Sequence, residues 1–226
     1  MKLLNLPNEL LVAIGSQIQS QSNLEVLSRA NRRLHNLLTA ELYHRDARTQ
    51  KSVQWAVRMG RPEILQKAQS FGIVPDFDTF PLLHLAAKNG QVSILECLLP
   101  VENGWVLNLV SCSQFDGDVV TTPLAAACQY GHYGAVKVLL DHGADHTIAN
   151  NSGLGPLHLA ATFGCPIAVG LLLDSGADIS STTNGLEWTP LHFACKNGNL
   201  AAAKLLVNRV DNISARDHVG RQPLFE

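Results

Sequence analysis

Three histidines, His84, His158 and His192, are the first residues that could do chemistry. Each follows a proline within three residues and precedes a small pair: Ala86-Ala87, Ala160-Ala161 and Ala194-Cys195. Imidazole is a common metal ligand and general base. The three occupy the same slot in their blocks, so stacked helices would set them in a row, no closer than about 10 Å. Histidine ligands sit about 2.1 Å from an ion, so the row cannot share one. His142 and His146 are four apart, but Gly143-Ala144-Asp145 interrupts any helical register between them. The five cysteines, at 97, 112, 128, 165 and 195, form no C-x-x-C pair and no disulfide-framework spacing. Cys128 and Cys195 fill the slot that Ala87 and Ala161 fill, which reads as small core residues in a reducing compartment. Cys112 and Cys165 have no adjacent base to make a nucleophile. There is no G-x-S-x-G, Walker or GxGxxG motif. Asp145 and Asp178 each follow a Gly-Ala pair and read as turn caps. The expectation is no catalytic, cofactor-binding or metal-binding residue: not an enzyme, but a protein that associates with others.

The elements that hold these residues are legible between Gly155 and Ser180. Pro156 suits the first turn of a helix, where the missing N–H costs nothing. Leu157, Leu159, Ala160 and Ala161 give that helix an apolar face, and Gly164 ends it. Val169 and Leu171 to Leu173 make the apolar face of a second helix, stopped at Gly176. One such pair cannot bury both faces, and its neighbours are present. The glycines Gly60, Gly90, Gly131, Gly164 and Gly198 recur at steps of 30, 41, 33 and 34, with Gly72, Gly143 and Gly176 twelve residues after three of them. A period in the low thirties marks a stacked repeat array.

The units resemble ankyrin repeats. Thr189-Pro190-Leu191-His192-Phe193-Ala194 and Gly155-Pro156-Leu157-His158-Leu159-Ala160 carry the family's T-P-L-H-x-A signature, and Thr122-Pro123-Leu124 keeps part of it, with Ala125 in place of His. The resemblance covers roughly residues 52 to 226. It implies an all-α solenoid of about five helix–turn–helix units joined by short hairpin loops. It also implies that the signature His and nearby Thr hydrogen-bond backbone at the turns between repeats.

Residues 1–50 lack the repeat and read as three or four short helices. Leu6-Pro7-Asn8-Glu9-Leu10-Leu11, Leu24-Glu25-Val26-Leu27 and Arg29-Ala30-Asn31-Arg32-Arg33-Leu34 resemble an F-box, and Tyr43-His44-Arg45-Asp46 adds a likeness to fungal proteins that join an F-box to ankyrin repeats. The tryptophan frequent near the end of that motif is absent. The resemblance implies docking to a Skp1-like adaptor of a cullin–RING ubiquitin ligase through Leu6, Pro7, Leu10, Leu11, Ile14 and Leu27. The alternative is a helical cap that closes the hydrophobic end of a plain ankyrin scaffold.

The expected organisation is therefore an F-box-like domain over 1–50 and ankyrin repeats over 51–226. The first repeat is degenerate, with Gln54-Trp55-Ala56-Val57 in place of the His-x-Ala-Ala stretch. The second is followed by an insertion, 101–120, whose apolar residues either fold back on the array or form a contact site. The chain ends just inside a sixth unit. In an ankyrin stack the loop tips and the residues before each turn glycine line a concave face. Lys88, Asn89, Gln129, Tyr130, Thr162, Phe163, Lys196 and Asn197, with Trp188 at a loop tip, are the expected target contacts. Tyr130 and Phe163 read equally as gap fillers between helices. A net charge of −2 removes a simple case for nucleic acid. No 18-residue apolar run suggests a membrane span, and Pro7, Asn8 and Glu9 interrupt any imitation of a secretion signal. A monomer in the cytoplasm or nucleus, bound to protein partners and to no cofactor, is the resulting expectation.

Overall fold

The computed structural model describes residues 51–70, 72, 75, 82–99, 106–108, 111–112, 120–209 and 215–223. The expected N-terminal helices and the six adaptor-docking residues lie outside them. The chain divides into two compact units, Met1–Asp76 and Phe77–Glu226. In the first, helices α1 (Lys51–Met59) and α2 (Pro62–Ser70) form a pair that buries Val53, Ala56, Val57, Leu65 and Ala68.

The second unit stacks four helix pairs: α3 (Leu82–Lys88) with α4 (Val92–Leu98), α5 (Pro123–Gln129) with α6 (Tyr133–Asp141), α7 (Pro156–Thr162) with α8 (Pro166–Asp174), and α9 (Pro190–Lys196) with α10 (Leu200–Val207). First helices pack on first helices of the neighbouring pairs, and second helices on second helices. Pro123, Pro156 and Pro190 open their helices at the position where a proline removes no needed donor. Thr122 Oγ1 caps α5 by accepting from Ala125 N at 3.2 Å.

The turn between the helices of each pair is closed the same way. The residue after the turn glycine donates its N–H to the carbonyl five residues back: Gln91 to Ala86 at 2.9 Å, His132 to Ala127 at 2.9 Å, Cys165 to Ala160 at 3.1 Å and Asn199 to Ala194 at 2.8 Å. This is a Schellman closure, which needs a left-handed residue at the glycine. Gly90, Gly131, Gly164 and Gly198 supply it with φ of 64°, 72°, 70° and 68°.

The core is a set of rows. Leu98, Leu139, Leu172 and Leu206 each stand eight residues after a turn glycine, and all are fully buried. Each such side chain contributes about 1.5–3 kcal/mol relative to exposure. The paired small residues Ala86-Ala87, Ala127-Cys128 and Ala160-Ala161 lie between neighbouring first helices, and their size lets those helices approach.

The described residues of the insertion fold back on the array. A 3-10 turn at Val106–Asn108 packs on α5, buries Leu107, and its Asn108 Oδ1 accepts from Asp145 N at 2.9 Å. Strands β1 (Ser111–Cys112) and β2 (Val120–Thr121) pair antiparallel, Ser111 opposite Thr121. Apart from this two-residue ladder every described element is helical, in keeping with the all-α expectation. The ladder fixes Thr121, whose carbonyl accepts from His84 Nε2 of the preceding repeat.

Candidate binding surface

The histidine row is built for structure. His158 Nδ1 accepts from Gly155 N at 3.3 Å, and His192 Nδ1 accepts from Thr189 N at 3.2 Å. Both rings therefore carry their proton on Nε2, which donates to a carbonyl of the next hairpin: Ser181 O at 3.1 Å for His158 and Arg221 O at 3.3 Å for His192. Burial lowers the pKa of His84 and His158 from the ordinary 6.5, against the raising effect of the carbonyls they contact. The His158 and His192 rings each bracket their own helix start to the following repeat, with both nitrogens engaged. His142 Nδ1 donates to Val138 O at 2.8 Å, one turn back on its own helix. Among the described residues no group of three or more His, Cys, Asp or Glu is placed to hold a metal. Burial, with the neighbouring Cys165 second, pushes the Cys128 thiol far above its usual range, which suits a core residue and not a nucleophile. A small cavity beside Thr122, Ala125, Ile148 and Leu154 encloses only about 10 Å³, room for about one water and no substrate.

The hairpins between pairs are held by their own acids and amides. Asp145 Oδ1 accepts from Thr147 Oγ1 at 2.6 Å and from its N at 2.8 Å, and Asp178 Oδ1 does the same with Ser180 at 2.6 and 2.9 Å. These side-chain bonds, then the backbone ones, lower both carboxyl pKa values. Adjacent hairpins are laced together: Asn184 donates from N to Ser152 O at 2.9 Å and from Nδ2 to Asn151 O at 3.1 Å.

The expected contact residues lie at the ends of the first helices. Asn89, Tyr130, Phe163, Lys196 and Asn197 are exposed, and Lys88, Gln129 and Thr162 are half-buried. Lys88 Nζ lies 4.9 Å from the centre of the Tyr130 ring in the next repeat, which joins two of the expected contacts into one patch. Thr162 Oγ1 donates to His158 O at 2.7 Å, and Asn197 Nδ2 to Phe193 O at 2.8 Å, so both also finish their own helices.

Ankyrin-repeat family models match residues 83–183 and 157–226, covering the four pairs just described. The chain belongs to the ankyrin-repeat family. Human palmitoyltransferase ZDHHC13 is 36% identical over 86 residues, 38% of this chain and 13% of that relative. Human ankyrin repeat and SOCS box protein 3 is 31% identical over 182 residues, 79% of this chain and 34% of that relative. Ankyrin repeat protein nuc-2 of Neurospora crassa is 29% identical over 169 residues, 63% of this chain and 15% of that relative. The chain thus spans about a third or less of the length of these curated relatives. Ankyrin repeats are a protein-interaction module, and no described helix is long and apolar enough to cross a membrane.

One expected contact is corrected. Trp188 is 3% exposed and cannot meet a partner as a loop-tip anchor. Its ring stacks on His192 at 6.2 Å between centroids and meets the edge of Phe193 at 5.2 Å. Its Nε1 donates to Asp217 Oδ2 at 3.2 Å. Asp217 is itself buried, and its Oδ1 accepts from Val219 N and Arg221 N at 2.9 and 2.8 Å. Burial would raise the Asp217 pKa, but the bonds from Arg221, Val219 and Trp188 prevail and lower it far below the usual range. Trp188 therefore pins the fifth repeat to the hairpin that follows it.

The ankyrin reading also passed over Tyr133, Ile167 and Leu200, which are exposed by 54%, 54% and 64%. Their signal was in the sequence: large apolar residues within three positions of a turn glycine, where a helix has just begun and its first turn has no neighbour to cover it.

Proposed function

We propose that this protein is a substrate-recruiting adaptor of a Skp1–cullin–F-box ubiquitin ligase. The N-terminal segment docks the Skp1-like adaptor through Leu6, Pro7, Leu10, Leu11, Ile14 and Leu27. The ankyrin repeats hold a target protein on the concave face at Lys88, Asn89, Gln129, Tyr130, Thr162, Phe163, Lys196 and Asn197. The mechanism is proximity: joining two binding modules in one chain raises the local concentration of target at the ligase. The observation that carries the reading is the motif Leu6-Pro7-Asn8-Glu9-Leu10-Leu11 followed by Leu24 to Leu27 and Arg29 to Leu34, ahead of the repeats. A relative whose name couples ankyrin repeats to a SOCS box supplies a precedent for repeats joined to a second, short module. The protein acts in the cytoplasm or nucleus as a monomer, without a cofactor.

The test is direct binding. The full chain, mixed with a purified Skp1-like adaptor, forms a complex that survives gel filtration. Pro7→Ala combined with Leu10→Ala abolishes the complex and leaves the helical circular dichroism of the repeats intact. Absence of a complex with the unaltered chain rejects the ligase reading and leaves the ankyrin scaffold, with its first 50 residues as a cap.

A further inference from the structure

Asn-Gly is the dipeptide in which a main-chain nitrogen most readily reaches a side-chain amide, because glycine has no Cβ to crowd the approach. The described residues hold three such pairs, Asn89-Gly90, Asn184-Gly185 and Asn197-Gly198; a fourth, Asn103-Gly104, lies outside them. Two of the three close helix turns. Gly90 N donates to Ala87 O at 3.1 Å and Gly198 N to Cys195 O at 3.0 Å, and Asn197 also donates from Nδ2 to Phe193 O at 2.8 Å. Asn184-Gly185 stands instead at the tip of the hairpin between α8 and α9. Both residues are exposed, Gly185 N donates to no acceptor among the described residues, and a Cβ added at Gly185 would meet nothing within 4 Å.

That tip is one residue longer than the tip before it. Thr183 N donates to Trp188 O at 3.1 Å across it, where Asn150 N donates to Leu154 O at 3.1 Å in the preceding hairpin. Gly185 and Glu187 turn the extra length with φ of 79° and 55°, and Glu187 is the one non-glycine residue with positive φ among the described residues. Asn184 lashes this tip to its neighbour through Ser152 O and Asn151 O. The two hairpins touch closely: a Cβ added at Gly153 would lie 2.7 Å from Asn184 N.

We propose that Asn184 is a site of spontaneous deamidation, and that the reaction unlaces the hairpins of the fourth and fifth repeats. The Gly185 nitrogen, its proton passed to solvent base, attacks Asn184 Cγ. A new C–N bond closes a succinimide ring; the bond from Cγ to Nδ2 breaks, and that nitrogen leaves as ammonia with protons from solvent. Water then opens the ring at either carbonyl. One opening leaves aspartate; the other leaves isoaspartate, in which the main chain runs through the former side chain. Nothing is oxidised or reduced, and no enzyme takes part. Both products lose the Nδ2 donor and set a carboxylate against the Asn151 carbonyl. The isoaspartate also reroutes the backbone beside the bond from Asn184 N to Ser152 O. A repeat stack is held by contacts between neighbours, so the loss falls on the junction that carries Thr162-Phe163 on one side and Lys196-Asn197 on the other. The chemistry belongs to the repeats and is independent of the adaptor reading.

The purified full chain is held in mildly alkaline buffer, digested, and mapped by mass spectrometry for the exchange of NH for O at each asparagine and for isoaspartate. Asn184 is expected to convert at least about tenfold faster than Asn89 and Asn197, equivalent to about 1.4 kcal/mol of barrier, because their glycine nitrogens must first leave a helix turn. In urea, where those turns are gone, the three convert at similar rates. The altered chain carries an added negative charge, so ion exchange separates it from the fresh chain, and it unfolds at lower urea. Asn184→Asp, which has the carboxylate without the rerouted main chain, also unfolds at lower urea. No conversion at Asn184, equal rates at the three sites in the folded chain, or a lead for Asn184 that persists in urea overturns the site. A product that is aspartate alone, without isoaspartate, overturns the succinimide step. A separated product as stable as the fresh chain overturns the unlacing.

Discussion

Replacing turn glycines by alanine separates two costs that the repeats combine. Gly131, Gly164 and Gly198 have nearly the same φ, 72°, 70° and 68°. A Cβ added at Gly131 or Gly198 meets nothing within 4 Å. The same Cβ at Gly164 would lie 2.6 Å from Asn199 Oδ1 and 2.8 Å from its Cγ. For all three, a left-handed alanine costs about 1–2 kcal/mol, offset by about 0.4–1 kcal/mol from a stiffer unfolded chain. Gly131→Ala and Gly198→Ala should therefore lose about 1 kcal/mol. At Gly164 the Asn199 side chain must also leave, and it donates from Nδ2 to Ala161 O at 2.8 Å and to Thr162 O at 2.6 Å. Two net hydrogen bonds at about 0.5–1.5 kcal/mol each bring the expected loss to about 2–4 kcal/mol. Urea unfolding followed by far-UV circular dichroism measures all three. The cause is isolated by the cycle with Asn199→Ala, in whose background Gly164→Ala should cost no more than Gly131→Ala. Equal losses at the three glycines, or a Gly164→Ala cost that the Asn199 change leaves untouched, would refute the steric argument.

Three further outcomes follow from the same contacts. Because burial holds the His158 and His84 pKa values below 6.5, the unfolded chain binds more protons than the folded one below about that pH. Stability is then full above pH 6.5 and declines as pH falls beneath it. The melting temperature should drop between pH 7 and 5.5, and His158→Gln should flatten the drop. Trp188→Ala should cost about 3–5 kcal/mol as a buried aromatic truncation, whereas Phe163→Ala, on the surface, should stay within about 0.5 kcal/mol; thermal melts of the two variants decide whether Trp188 is core or contact. Asp217→Ala should lower the melting temperature and red-shift the Trp188 fluorescence, since Trp188 Nε1 and Arg221 lose their acceptor; an unmoved spectrum would mean that the Asp217 bracket does not hold Trp188.

The parts of this fold that are local in sequence were legible. Proline at a helix start, glycine eight residues later and a second glycine at the end each satisfy a backbone requirement within one turn, so the residue type itself announces the element. Trp188 was not legible, because what buries it is Asp217, 29 residues onward. The apolar residues of the insertion announced its fold-back, seen where Leu107 is buried against α5, but the pairing of Ser111 with Thr121 was not legible, because two-residue strands are too short to show an alternating pattern.

The residue after each turn glycine shows the limit most clearly. His132 donates from Nε2 to Lys88 O at 3.0 Å, Cys165 Sγ approaches Gly131 O at 3.8 Å, and Asn199 reaches two carbonyls of α7. Three unlike side chains do one job, which is to tie the end of a first helix to the next repeat. No motif search groups a histidine, a cysteine and an asparagine, since they share only a donor and a place in the repeat. Their sizes still leave a mark on the glycines they cover: the His132 ring and the Asn199 amide close over Gly90 and Gly164, while Gly131, opposite the smaller Cys165, stays open. Position sets the task and the side chain sets its strength, so the junction held by Cys165 is tied by a weak sulfur donor where its neighbours have nitrogen ones.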